Sequence, residues 1–288
     1  MSAVPAPQPI DPVKPLLAKV REVAVLPHVV YKVVELSGSA ESSTGQIENA
    51  ISVDPGFSSR LLTVANSAYY ALPKKITSIK DAIMFLGFKT IRQIAMTVGL
   101  YDMFVGKTDK ESLRRRQWWR RSVDTAICCK WIARETRKLS PEDAYTCGLL
   151  HLIGCTLLDR FGEGDYERVE ALAEHGMPVF EAEQKVFGAH HADVAVAAAT
   201  QWGFPDALVQ GLMYHQPPAD SEDPYLMHRA CVAVGSLIAK WALEGLPESG
   251  DYDIPQWAME ALGVTEESVP TLVERAMSVI AEAAAMQI

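Results

Sequence analysis

Apolar residues recur at helical rather than strand spacing along almost the whole chain after residue 15, and this periodicity limits the fold more than any other feature. Val29, Val30, Val33 and Val34 form one apolar stripe of the kind that a packed helix presents. No Asn-Gly hairpin and no sustained alternation of apolar and polar residues occurs. The sequence therefore predicts an all-α protein built as a helical bundle.

Local signals place the starts of several helices. Asp54, Ser78 and Ser140 precede predicted starts, because their side chains can accept hydrogen bonds from the free amides of a first helical turn. The apolar run after Ser140 is expected to continue as a helix through His151 as far as Leu158. Further helices are expected at about 88–104, 111–138, 165–175, 178–188, 191–202, 205–214, 224–244, 254–262 and 266–285.

Composition divides the chain into four predicted segments. Residues 1–15 contain five prolines and predict a flexible tail. A short polar stretch at 105–112 marks the boundary between an N-terminal helical half, residues 16–106, and a second helical half, residues 107–245. The C-terminal helices occupy residues 246–288. Because the connection is short, we expect the two halves to share an interface.

The net charge of −9 hides a local asymmetry. Residues 107–138 contain eleven Lys or Arg and four Asp or Glu, a local charge of +7, whereas the other 256 residues carry 16 basic and 32 acidic groups. Proteins that coat nucleic acid usually have a pI above about 9, and this chain has a pI of 5.3. We therefore expect no nucleic-acid partner, although one local anion site stays open.

The sequence shows no recognisable targeting or membrane signal. The first residues lack the basic start and apolar core of a secretory signal, and the chain has no uninterrupted apolar run of about 18 residues. The five cysteines form no CxxC pair, and because their number is odd they cannot all pair in disulfides within the chain. We interpret them as reduced core residues and expect a cytoplasmic protein without a membrane partner.

Three of the seven histidines suggest a shared site. His151 lies in an apolar run, where an imidazole needs a polar partner. His191 begins one predicted helix, and His215 ends another. Because helical bundles build sites from side chains on facing helices, their separation along the chain does not prevent them from meeting.

A series of short phrases recurs in a fixed order around these histidines. In the first half the phrases are Leu26-Pro27, Asp54-Pro55, Leu61-Leu62 with Ala65-Asn66-Ser67-Ala68 and Tyr70, and Ile76 with Ser78-Ile79, Ala82-Ile83 and Leu86-Gly87. In the second half they are Gly148-Leu149-Leu150-His151 with Ile153-Gly154, His191-Ala192-Asp193-Val194, Trp202-Gly203-Phe204-Pro205 and His215. Over about residues 20–240 the series resembles the HDOD domain family, a degenerate branch of the HD superfamily of metal-dependent phosphohydrolases. The resemblance implies an HD-like helical bundle with an additional N-terminal bundle.

The chain departs from active HD enzymes where the resemblance implies metal ligands. Arg121 stands at the first His position, Leu152 replaces the Asp of the His-Asp pair, and Gln216 follows His215 in place of a second His. Val234-Gly235 offers no late carboxylate. A two-metal centre needs bridging carboxylates, and a guanidinium cannot coordinate a cation. We expect no catalytic residue and no resident metal, and a vestigial pocket made of Arg121, His151, Leu152, His191, His215 and Gln216.

Three interpretations of this pocket stay open. Its polar residues could be satisfied within a fossil site, or Arg121 and the histidines could hold a nucleotide or phosphate ligand. Alternatively, His151, His191 and His215 could hold Zn²⁺ as neutral imidazoles, alone or with Asp193. In that case a residual phosphohydrolase activity would survive.

Two other features could serve structure or recognition. The arginine-rich run before Trp118-Trp119 is best explained as the basic start of a helix with buried tryptophan, and less well as a surface for a protein or a phosphate-bearing ligand. Asn66, expected in mid-helix, is best explained as an amide that ties its helix to the next turn. The possible recognition surface consists of Asn66, Arg114, Arg115, Arg116 and Arg120.

The resemblance implies a non-enzymatic bacterial signal-transduction module. Such a module would act by contact with other signalling proteins in a two-component or second-messenger pathway. The alternatives are a residual metal-dependent phosphohydrolase acting on phosphodiesters, and a sensor of a nucleotide or phosphate ligand.

Overall fold

The computed structural model describes most of the chain as packed helices. It covers residues 14–16, 18–19, 28–39, 41–105, 109–162, 165–220 and 222–283. No strand occurs within these ranges, and the predicted all-α class is confirmed. The tail 1–13, the phrase Leu26-Pro27, residues 106–108 of the predicted boundary and the last expected helical residues, 284–285, lie outside the described residues.

From residue 28 onward, the described part of the first half contains four helices, of which two begin at the predicted caps Asp54 and Ser78 and one, at Thr44–Ser52, was not predicted. In chain order the elements are α1 (His28–Gly38), α2 (Thr44–Ser52), α3 (Pro55–Ala65), a 3₁₀ turn (Ala68–Tyr70) and α4 (Ile79–Val105). Asp54 accepts a hydrogen bond from the Phe57 amide at 2.9 Å, and Ser78 accepts one from the Asp81 amide at 3.0 Å. Gly87, at φ +77°, interrupts α4 at the expected position, because this backbone conformation favours glycine.

The second half and the C-terminal segment continue as helices joined by short turns. They are α5 (Asp109–Thr136), α6 (Pro141–Leu150), α7 (Ile153–Phe161), α8 (Tyr166–Glu174), α9 (Val179–Phe187), α10 (His191–Gln201), α11 (Asp206–Gly211), α12 (Leu226–Glu244), α13 (Gln256–Leu262), a 3₁₀ turn (Glu266–Ser268) and α14 (Val269–Ala283). Helix α5 packs against α4, α6, α12 and α14 and so lies at the centre of the bundle.

The buried residues form one hydrophobic cluster that includes both halves. Both tryptophans of the arginine-rich run, Trp118 and Trp119, belong to it. Polar contacts also cross between the halves: Lys130 donates to Gln93 at 2.6 Å. All five cysteines are buried and unpaired. The two halves therefore share an interface, whereas the exact domain boundaries stay a prediction.

The expected continuous helix through His151 is wrong. Helix α6 ends at Leu150 and α7 begins at Ile153. The His151 Nδ1–H donates to the carbonyl of Gly148 at 2.6 Å, and this carbonyl would accept from the Leu152 amide if the helix continued. The imidazole thus caps α6 and marks a change of direction between the two helices.

Asn66 lies at the C-terminal end of α3, which corrects the expected mid-helix position. Its side-chain amide donates to the carbonyls of Leu62 and Ile76, both at 2.8 Å, and its oxygen accepts from the Ile76 amide at 2.7 Å. These three bonds tie the helix end to the following loop, which is the structural role that the sequence favours. A recognition role for Asn66 stays a prediction.

Two helices are long and apolar enough to span a membrane by composition alone. Charged or polar residues interrupt the apolar sequence of both. The two helices are α4 and α12, and 61% and 56% of their most apolar windows are buried inside the protein. A buried core helix meets the same criteria as a membrane helix, so composition alone is weak support for a membrane span.

Several cavities, one of about 730 Å³, open on the surface of the bundle. Another of them is lined by residues that lie far apart in the sequence. It measures about 700 Å³ and lies between the 3₁₀ turn at Ala68–Tyr70, α5 and α14. Tyr69, Trp131, Val279 and Glu282 contribute to its walls. The C-terminal helix therefore completes a cavity that begins in the N-terminal half.

Candidate functional site

A buried ion pair between Glu183 of α9 and His191 of α10 forms the centre of the site. The His191 Nδ1–H and backbone N–H both donate to Glu183 Oε2, at 2.6 and 2.8 Å. The Tyr166 hydroxyl donates to Glu183 Oε1 at 2.5 Å. On the other side of the imidazole, Nε2–H donates to the Tyr214 hydroxyl at 2.9 Å. Both ring nitrogens of His191 are thus engaged within the protein.

The electrostatics of this network favour the charged forms of both partners. Burial opposes the charge on His191, but the electrostatic interactions with Cys155, Tyr214 and Glu183 outweigh burial and raise its pKa well above the usual value. Burial likewise opposes the charge on Glu183, but His191 and the hydrogen bond from Tyr166 hold the pKa of this carboxyl below its usual value. The pair is therefore an imidazolium and a carboxylate at neutral pH.

His151 lies beside this network and is uncharged. Its ring is 5.8 Å from the Tyr214 ring, measured between centroids. Burial lowers the pKa of His151 to about 3, and the hydrogen bond to Gly148 opposes this change only in part. The positive charges of Arg121 and His191 lower the pKa further. A cation bound at this position would meet the same repulsion from Arg121.

Replacing His151 with Gln should flatten the pH dependence of stability. The unfolded chain takes up a proton on His151 near its ordinary pKa of about 6.5, whereas the folded protein excludes the proton until about pH 3. The stabilisation is therefore complete above pH 6.5 and is lost as pH falls, by about 1.4 kcal/mol per unit. Between pH 6.5 and 4.5 the wild type should lose about 2 kcal/mol more than His151→Gln.

Urea denaturation of both proteins at the two pH values measures this difference. His175→Gln is the control, because His175 is exposed, and its pH dependence should match that of the wild type. Equal losses in the wild type and His151→Gln would contradict a neutral, buried His151.

The residues around His151 and His191 do not fit a two-metal centre. Leu152 is buried at the position of the bridging carboxylate and supplies no ligand atom. At Gly235, even a Cβ atom would lie 2.7 Å from the Cys129 sulfur, which leaves no room for a late Asp. Within the described ranges, no cluster of three metal-binding side chains includes His151, and the one with His191 is the buried group Cys155, Glu183 and His191, whose members already bond one another.

The structure divides the predicted pocket into two parts. His151 and His191 lie on either side of Tyr214, whereas His215 belongs to a separate cluster with His190 and Asp193. His215 follows α11, which ends at Gly211 and not near 214 as expected. Burial, with the nearby positive groups, lowers the pKa of His215 to about 4. Of the remaining polar residues of the predicted pocket, Gln216 lies in the second part, where its amide contacts His215 Nε2 at 2.8 Å. Arg121 lies in the first part, near His151.

Most arginines of the possible recognition surface form ion pairs within the protein. Arg114 and Arg115 share the carboxylate of Asp159, at 2.7 and 2.8 Å. Arg120 pairs with the buried Asp124 at 2.7 Å. Arg116, the fourth arginine, is exposed. The run therefore presents less free positive charge than its sequence suggests, and a recognition role for it stays a prediction.

Several residues of the site were not predicted from the sequence. Two of them are Glu183 and Tyr214, the carboxylate and hydroxyl partners of His191. The third is Phe180, whose ring stacks on His191 and His215 at 4.6 and 5.3 Å between centroids. A signal for the first exists: Phe180, Glu183 and Phe187 lie at helical spacing, so a carboxylate occupies an apolar stripe. No comparable signal marks Tyr214.

Solved structures share this arrangement of helices. A Shewanella amazonensis protein that is provisionally named a phosphohydrolase superposes with a TM-score of 0.71 and 25% identity, over 94% of this chain and 96% of its own. A Marinobacter aquaeolei protein that is provisionally named a signal transduction protein superposes with a TM-score of 0.69 and 20% identity, over 96% of this chain and 64% of its own. The second likeness, at its low identity, shows the fold alone.

Curated relatives are more distant and longer. An uncharacterised Treponema pallidum protein is 23% identical over 221 residues, which are 75% of this chain and 42% of that protein. The chain spans less than half the length of the curated relatives that it matches. The family model of the HDOD domain matches residues 23–218, a range that contains the 3₁₀ turn, the capped end of α6 and the whole Glu183–His191 network. With more than half of its length matched and the ordered phrases folded as that family folds them, the chain belongs to the HDOD domain family.

Proposed function

We propose that this protein is a non-enzymatic, cytoplasmic signalling module that acts by binding other proteins of a bacterial cell. The fold itself does not decide between catalysis and signalling, because similar structures carry names of both kinds. The site carries the proposal. Both nitrogens of His191 are bound by Glu183 and Tyr214, so this histidine has no lone pair left for a metal ion.

Two other residues support the loss of catalysis. A divalent cation near His151 would meet the guanidinium of Arg121 and no carboxylate from Leu152. At an effective dielectric near 20, a guanidinium about 5 Å from a dication costs several kcal/mol. Metal-activated water, which an HD phosphohydrolase requires, therefore has no suitable place to form beside His151.

The purified protein should hydrolyse no phosphodiester above the buffer rate. The substrates are bis-p-nitrophenyl phosphate and cyclic dinucleotides, with Mn²⁺, Mg²⁺, Fe²⁺ or Zn²⁺ supplied in turn. Release of nitrophenolate and chromatography of the nucleotides measure hydrolysis. Turnover that disappears in a folded His151→Gln variant would overturn the proposal, because it would show that the ancestral site still works.

Partner binding is tested by affinity purification from the source cells followed by mass spectrometry. Arg116→Glu is the test variant, since Arg116 is the exposed arginine of the possible recognition surface. Arg168→Glu makes the same charge change at an exposed position of α8 and is the control. We expect at least one protein that is retained by the wild type and the control and lost by Arg116→Glu. Identical recoveries with all three proteins would contradict this surface.

A phosphate or nucleotide sensor is the second candidate, and one observation favours it. Arg121 is half-buried beside His151, and in the described part of the chain it makes no recorded hydrogen bond or ion pair. A ligand that binds only the folded state raises the unfolding temperature. Cyclic dinucleotides and alarmones should then raise the unfolding temperature of the wild type but not of Arg121→Met, and a flat response in both would eliminate this candidate.

A further inference from the structure

We propose that His190, Asp193 and His215 form a binding site for one divalent transition-metal ion, and that Zn²⁺ is the ion that fits it best. This site shares His215 with the predicted vestigial pocket but contains neither His151 nor His191, and it adds His190, which the resemblance does not include. The inference goes beyond the proposed function, and it neither needs nor supplies phosphohydrolase activity.

The geometry brings three ligand atoms together. One ligand atom from each residue lies within 4.8 Å of the other two. His190 Nε2 and Asp193 Oδ2 are 3.1 Å apart. Two ligands of a tetrahedral zinc at 2.0–2.2 Å lie about 3.3–3.5 Å from each other. The third ligand therefore needs to move by only about 1 Å to complete the site, a shift within the reach of a side-chain torsion.

The surroundings hold the two imidazoles in position. The rings of His190 and His215 are 4.7 Å apart and nearly perpendicular. Phe180 stacks on His215 and meets the edge of His190, at 5.3 and 5.0 Å between centroids. Little conformational entropy is left for these rings to lose when an ion binds, which favours affinity.

An unsatisfied atom also points to a missing ligand. His215 Nδ1 is buried and makes no hydrogen bond with the described residues. Its other nitrogen, Nε2, contacts the Gln216 amide at 2.8 Å. A buried ring nitrogen without a partner is costly, and a metal ion bound directly to Nδ1 would supply the missing partner.

The charge balance permits a dication. Asp193 supplies a negative charge, and its side chain is 49% exposed, so an ion can enter from solvent. The nearest positive groups are compensated: Arg229 lies 3.7 Å from Asp223, and His191 is paired with Glu183. Two histidines, one carboxylate and an open position suit Zn²⁺ better than Mg²⁺, which prefers oxygen ligands.

Zinc binding would break one existing hydrogen bond. The Asp193 amide donates to His190 Nδ1 at 3.3 Å, which caps α10 and leaves the ring proton on Nε2. Binding of zinc through Nε2 moves that proton to Nδ1 and breaks the long capping bond. His190→Asn is the matched variant, because Asn is a good N-cap residue but its side chain is too short to reach the ion.

Isothermal titration of the metal-free full chain with ZnCl₂ at pH 7.5, together with metal analysis after gel filtration, tests the site. We expect one Zn²⁺ per chain, no detectable Mg²⁺ binding, and at least 10-fold weaker zinc binding in His190→Asn and Asp193→Asn. His175→Gln, at an exposed histidine in α8's C-terminal turn, should bind zinc as the wild type does. Circular dichroism confirms that each variant is folded.

Two results would overturn the site: no zinc bound by the wild type, or the same affinity in His190→Asn, Asp193→Asn and the wild type. Zinc binding that is lost in His151→Gln but kept in His190→Asn would instead place the ion at the ancestral centre. That outcome would count against both this site and the metal-free premise of the proposed function. Phosphodiester hydrolysis with the zinc site intact would count against the proposed function alone.

Discussion

Replacing Glu183 with Ala should lower the free energy of unfolding by about 4 kcal/mol, because removing one member of a buried ion pair leaves the other charge uncompensated. Four hydrogen bonds end on this carboxylate: two from His191, one from Tyr166 and a longer one, at 3.8 Å, from the Cys155 thiol. His191 would then lose the carboxylate that faces its Nδ1, and its pKa should fall. Chemical denaturation at pH 7 measures the loss, and NMR titration of the imidazole measures the change in pKa.

Glu181→Ala is the control for this experiment. Glu181 lies on the same helix but is exposed, so its removal should change stability by no more than about 0.5 kcal/mol. If both variants lost the same small amount, the Glu183–His191 pair would not be the polar centre of the fold. Substituting Glu183 with Gln should cost less than Ala, since the amide keeps the volume and one acceptor oxygen.

Replacing Gly154 with Ala should destabilise the protein by about 3 kcal/mol or more, as expected for severe overpacking. A Cβ at this position would lie 1.8 Å from the His191 carbonyl oxygen, which is a backbone atom and cannot swing aside. Helices α7 and α10 would have to separate. Ala favours a helix over Gly by only about 1 kcal/mol, so the clash decides the sign.

Gly45→Ala in α2 provides the comparison. A Cβ at Gly45 meets no atom within 4 Å, so this substitution should leave stability unchanged or raise it by up to about 1 kcal/mol. Thermal and urea denaturation of both variants measure the contrast. Equal stability of Gly154→Ala and Gly45→Ala would mean that α7 and α10 do not approach each other as closely as the structure shows.

The parts of the fold that depend on neighbouring residues could be predicted from the sequence. Asp54, Ser78 and Ser140 each cap the helix that follows, as their positions indicate. Gly87 interrupts α4 as expected. Capping and glycine conformation are decided within a single turn, so a linear sequence contains the necessary information.

The break at His151 could not be predicted in the same way. The apolar run around it has helical spacing, whereas the helix that follows the break packs with Gly154 close against His191. That contact joins residues far apart in sequence. Periodicity indicates that both segments are helical, but it does not show where two packed helices need different directions.

The histidine sites show a similar limit. His190 and His191 are neighbours in the sequence, yet they belong to different clusters, because His190 caps α10 and His191 is its first residue. The two side chains therefore leave the backbone in different directions. The prediction grouped His215 with His191, whereas the turn after α11 places its ring 4.7 Å from that of His190.

The cavity between the 3₁₀ turn, α5 and α14 has a consequence for how this family can diversify. Its inner walls, with Tyr69 and Trp131, lie inside the range of the family match, whereas Val279 and Glu282 lie beyond residue 218. Mutation of the C-terminal helix can therefore reshape the opening without touching any family motif. New binding preferences can evolve at this rim while the ancient interior stays unchanged.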